Sequence, residues 1–170
     1  MIMSHPVRAT LGDDERARRL VVVNVTACLL LLAQYLLGMV ANLFVTIPAH
    51  HPGAGASNYF TGSADGLGWV IPDGPVWVAA HAGFGMALVV AAFGSLITDL
   101  RWASRTSVVL SVLGALAILG AAFNGASFVT YGKNINSMIM AGLWALALVC
   151  YLGCMFDAAR SRARRRRLSS

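Results

Sequence analysis

A chain of 170 residues that is 58% hydrophobic and only 12% charged is too apolar for an ordinary soluble domain. Its formal charge of +6 does not mark a nucleic-acid binder, because the basic residues gather in clusters between apolar runs rather than along one face.

Four apolar runs cover residues 20–47, 76–98, 106–131 and 135–156, and none contains Lys, Arg, Asp or Glu. Each is long enough to cross about 30 Å of hydrocarbon as a helix. Backbone groups in lipid must be satisfied within the segment, and the short alternating strands of a membrane barrel are missing from the pattern. The fold class predicted is therefore all-α, a four-helix transmembrane bundle. One membrane domain spans 20–157, between a lead-in at 1–19 and a basic tail at 158–170.

Arg8, Arg16, Arg18 and Arg19 precede the first run, Arg101 and Arg105 separate the second from the third, and six arginines between 160 and 167 follow the fourth. The 48–75 segment has no Lys or Arg, and the last connection has only Lys133. The positive-inside rule then places both termini in the cytoplasm (N-in/C-in) of a multi-pass cell-membrane protein. Segments 48–75 and 131–136 face outside.

In the lead-in, Thr10 and Asp13 have the spacing of a capping box. The first run is too long for a cleavable signal peptide and reads as a retained first helix. It carries a stripe of Gln34, Gly38, Asn42 and Thr46, whose spacing of four holds them near one face, predicted to look inward. Pro48 ends this helix. The following segment, PAHHPGAGASNYFTGSADGLGWVIPDGP, reads as an ordered external loop whose aromatic residues sit at the membrane interface.

The second run has Gly83, Gly85 and Gly94, which allow another backbone to come close, and Asp99, Arg101 and Trp102 mark its cytoplasmic end. Ser111, Gly114, Ala117, Ala121 and Gly125 form a packing seam on the third. Cys28, Cys150 and Cys154 read as small buried residues. The tail SRARRRRLSS reads as disordered and suited to anionic lipid headgroups.

Candidate chemistry centres on His81, the one ionisable residue well inside a run. Counting 1.5 Å per residue, Asn42, His81 and Asn124 fall at one depth, roughly 9 Å below the outer surface. Met140 lies near the same layer, and His50 and His51 sit just above it. The plain expectation is a polar clasp among Asn42, Asn124 and His81. The functional one is a ligand site of those residues with His50, His51 and Met140, in which His81 is a metal or haem ligand.

The QYLLG stretch at 34–38, a histidine near the outer end of a Gly-rich second helix, and four crossings resemble the four-helix membrane proteins of the cytochrome b561 and haem A synthase type. That resemblance implies a haem b held by His81 and a second axial ligand. Those families place histidines on facing helices, whereas only His81 is deeply embedded here. HPG at 51–53, NYF at 58–60, FNGASF at 123–128 and SMIMA at 137–141 resemble a bacterial family of four-helix integral membrane proteins, which implies the fold and no activity.

Other chemistries lack their residues. There is no glycine loop followed by Lys and Ser or Thr, no Ser–His–acid set, and no carboxylate expected deep in a run. The chain is read as a non-enzymatic membrane protein with an outer-leaflet site for haem, a quinone or another small ligand, accessory to membrane redox chemistry. The alternatives are an assembly subunit of a larger membrane complex or homo-oligomer, and a small transporter subunit.

Overall fold

The computed structural model describes the backbone of residues 6–169 and the side chains of residues 15–164. The described chain is all helical: α1 (Pro6–Phe44), α2 (Tyr59–Asp73), α3 (Val76–Trp102), α4 (Arg105–Tyr131) and α5 (Asn134–Ser169). Four of them, all but α2, contain stretches long and apolar enough to cross a membrane. Large apolar side chains on all four face outward, among them Leu36, Val90, Leu116 and Val149. Such surfaces suit a bilayer.

The long helices pack in a ring: α1 lies on α3 and α5, and α4 lies on the same two, with no close backbone approach across either diagonal among the described residues. The tightest pairing, α4 with α5, follows from glycines. A Cβ at Gly114 would stand 3.0 Å from the Tyr151 ring, and one at Gly153 would stand 2.8 Å from Leu110 Cδ1. Of the seam read on α4, Ser111, Gly114 and Ala117 are buried, whereas Ala121 and Gly125 face a cavity. Of the three α3 glycines, only Gly85 meets a neighbour, the Gln34 amide; Gly83 and Gly94 have nothing within 4 Å.

Several boundaries differ from the sequence expectation. α1 ends at Phe44, before Pro48, because the residues ahead of a proline are pushed from helical to extended backbone. The helical backbone already includes Thr10, so Thr10 is not an N-cap; its side chain and that of Asp13 lie outside the described residues. The tail is helical through Ser169, continuing α5 rather than forming a disordered end. The side chains of Arg165, Arg166 and Arg167 lie outside the described residues.

The 48–75 segment is more than a loop, since it contains α2. Asn58 caps that helix, its Oδ1 accepting from the amides of Phe60 (2.9 Å) and Thr61 (3.2 Å). Val70 is fully buried, in a small core with Val78 and Val129. The stretch before α2 is tied to α4 by Gly55 N–H donating to the Thr130 carbonyl at 2.8 Å. Tyr59 Oη donates to the Phe123 carbonyl, also at 2.8 Å. Gly53 has φ +82°, and a Cβ there would overlap the Gly62 carbonyl. Glycine is thus required both for the left-handed backbone and for the close approach.

Candidate functional site

The ring of helices leaves a cavity of about 930 Å³, walled by α1, α3, α4, α5, Leu67 of α2 and part of the segment before α2. Its floor includes Leu31, Leu88 and Ile118, all members of the main apolar core. Its other end is lined by Ile47, Pro48, Tyr131 and Lys133. All four residues of the inward stripe (Gln34, Gly38 and Asn42 on α1, and Thr46 just beyond it) are on the wall, as are His51, His81 and Met140.

Gln34 and His81 form the polar centre. The Gln34 Nε2 donates to the His81 carbonyl at 3.1 Å and stands 3.3 Å from His81 Nε2. An amide oxygen in that place would face a carbonyl oxygen, so the nitrogen belongs there. Its second hydrogen then reaches His81 Nε2 as acceptor, which fixes the ring proton on Nδ1. His81 Nδ1 and Gln34 Oε1 are both buried without a hydrogen-bond partner. The ring is seated against Gly38, where a Cβ would lie 2.9 Å from His81 Cε1. Two absent side chains, at Gly38 and Gly85, thus make room for one histidine and one glutamine.

The expected clasp does not form. Asn124 Nδ2 donates to the Gly120 carbonyl of its own helix at 2.9 Å, and Asn124 is not on the cavity wall. Equal depth did not imply equal direction: Ala121 and Gly125 face the cavity, and Asn124 is turned about 100° from Gly125. An Asn so placed satisfies itself on a carbonyl one turn back. Asn42 faces the cavity, but the partner of His81 is Gln34. Gln34 belonged to the inward stripe and was missed as a site residue; its place one helical turn before Gly38 was the available signal.

His50 is exposed and away from the cavity wall. His51 Nδ1–H donates to the Pro52 carbonyl at 2.8 Å, and its ring stacks on Trp69 with centroids 4.5 Å apart. The Met140 sulfur packs against Gly125. Trp144, also on the wall, donates its indole N–H to the Leu31 carbonyl at 2.8 Å and stacks on Tyr35.

This donor set does not match the haem expectation. The Nε2 of His81, the nitrogen an axial imidazole usually presents, is occupied by the Gln34 amide. His51 is held by Trp69 and Pro52. No cluster of three or more His, Cys, Asp or Glu side chains suited to a metal ion is found among the described residues. His81 as an iron ligand, and haem b as cofactor, therefore find no support in the arrangement of the side chains.

Asp99 lies in the last turn of α3, which ends at Trp102 as expected, but it has no exposed surface. Leu88, Ala92, Ser95 and Asp99 recur at helical spacing, and all are buried; that stripe was the missed signal.

Comparison of the chain with protein-family models, with curated proteins and with solved structures finds no match.

Proposed function

We propose that the chain is a four-helix membrane bundle with both termini cytoplasmic, and that its outer cavity binds a small apolar ligand of the quinone class. The observation that carries this reading is the cavity of about 930 Å³ with Gln34, Asn42 and His81 on an otherwise largely apolar wall. Ligand sites commonly hold about 300–1,000 Å³ and combine apolar walls with a few polar groups that fix orientation. A quinone head is flat and apolar, carries two carbonyl acceptors, and partitions into the bilayer from which this cavity would be filled. The Asn42 amide, on the cavity wall, is the donor for one of those carbonyls, and the His81 ring with its Gln34 partner shapes the polar side of the pocket. Such a protein would serve membrane redox chemistry as a binding accessory. The basic end, in the cytoplasmic leaflet, lies among anionic headgroups.

Detergent-purified full-length protein titrated with a short-chain quinone tests this, with quenching of Trp144 as the signal. Saturable quenching is expected, smaller in Trp144→Phe, where Trp69 beside His51 remains, and its apparent affinity weakened about tenfold by Asn42→Leu through loss of a hydrogen bond to the ligand and lowered by His81→Ala through loss of the pocket's polar side. Val149→Ala, on the outer surface, should match the wild type. Quenching that rises linearly and equally in all variants would favour the alternative, an assembly subunit without a ligand.

A further inference from the structure

A second recess of about 350 Å³ lies at the basic end, and Asn24 of α1, Asp99 of α3, Ser107 of α4 and Cys154 of α5 are on its wall. Each long helix has a buried stripe at spacings of three and four, and each stripe carries a polar residue near this level. They are Asn24, Asp99, Ser111 and Tyr151, which are 1%, 0%, 0% and 0% exposed. Asn24 and Asp99 share the recess wall, and Ser111 and Tyr151 belong to the same buried level, within electrostatic reach of the Asp99 carboxyl.

Many polar side chains elsewhere are satisfied within the fold. Thr98, Ser127 and Thr130 donate to carbonyls one turn back. Ser104 and Ser107 donate to Asp157 at 2.6 and 2.8 Å. Around Asp99 the pairing is incomplete: Asn24 Nδ2 donates to the Leu20 carbonyl at 2.8 Å, but Asn24 Oδ1, Ser95 Oγ, both Asp99 oxygens, Ser111 Oγ and Tyr151 Oη are all buried without a partner. Every orphaned atom in this group is an oxygen. Buried polar atoms are normally paired, and a buried charge needs a counter-charge.

We infer that this level is a binding site for a monovalent hard cation of the sodium class, held by the Asp99 carboxylate with Asn24 Oδ1 and the hydroxyls of Ser111 and Tyr151. An all-oxygen set selects hard cations over zinc or copper. One carboxylate neutralises one positive charge, whereas a divalent ion would leave a net charge buried. Asp157, the other acid on the recess wall, is engaged by two serines. The rim includes Arg16, Arg101 and Arg162, which oppose cation entry, but salt screens that field over about 8 Å. The site is separate from the outer cavity, and its test does not depend on any quinone.

The test is thermal unfolding of the full chain in detergent, in NaCl, KCl and choline chloride at equal ionic strength and at three pH values around neutrality. Sodium should raise Tm saturably, potassium less, and choline not at all. Asp99→Asn keeps the side-chain shape and should lower the apparent sodium affinity on the order of a hundredfold or more, beyond the range seen for indirect ligand contacts. Ser111→Ala and Tyr151→Phe should weaken it partially, and they carry the comparison if Asp99→Asn does not fold. Equal Tm in sodium and choline, a sodium response that survives Asp99→Asn, or a Tm that follows pH and ignores sodium would each overturn the assignment. The last result would make Asp99 a proton site only.

Discussion

The seat of His81 rests on what Gly38 lacks. A methyl group there would stand 2.9 Å from Cε1 and 3.3 Å from Nδ1, and the ring, held on its other edge by Gln34, has little freedom to retreat. Gly38→Ala should destabilise the protein by about 1–3 kcal/mol through overpacking and weaken quinone binding, both measurable on one purified sample. Gly83→Ala is the control: with nothing within 4 Å of its Cβ, it should be neutral or up to about 1 kcal/mol stabilising through helix propensity. At this scale the sequence was partly legible. The inward stripe of Gln34, Gly38, Asn42 and Thr46 could be read because a spacing of four defines a face. The pairing of Gln34 with His81 could not, because depth along two helices says nothing about which side chains turn toward each other. Asn124 illustrates the same gap, lying at a suitable depth and about a quarter-turn away from the cavity.

Among the elements, the four long helices were legible from hydropathy alone, and their inner boundaries came within a few residues. The exception was α2. Its segment contains Gly62, Gly66, Gly68 and Pro72, which all argue against a helix on propensity. The reason for two of these glycines is tertiary: a Cβ at Gly62 would stand 2.6 Å from Ala56 Cβ, and one at Gly66 would meet Val129 at 3.2 Å. Packing against the preceding stretch and α4 outweighs the propensity loss, and Asn58 supplies the start. Asn58→Ala should cost about 1 kcal/mol, seen as faster amide hydrogen exchange across residues 60–66 while α3 and α4 are unchanged. Exchange that rises equally in all helices would mean that α2 has no local stability of its own.

For the molecule as a whole, the basic residues with described side chains other than Lys133 lie at one end, with Arg16, Arg101 and Arg162 around the recess there. Lys133 lines the cavity at the other. The topology proposed from that asymmetry is testable because Cys28, Cys150 and Cys154 are all buried and give little background. On intact cells, a membrane-impermeant maleimide should label Asp65→Cys in α2, and should label Ser161→Cys in α5 only after permeabilisation. The reverse order would invert the orientation.

The two recesses lie on either side of the apolar layer around Leu31, Leu88 and Ile118, which the first reaches while the second goes no further than Asn24 and Asp99. Leu31, on the floor of the outer one, is seven residues from Asn24, on the wall of the inner one. That is about 10 Å of α-helix, a third of the roughly 30 Å thickness of a bilayer core. With both recesses solvated, a transmembrane voltage would fall mostly across this septum, and its local gradient would be about three times that in unbroken lipid. Asp99 sits at the inner edge of that steep drop.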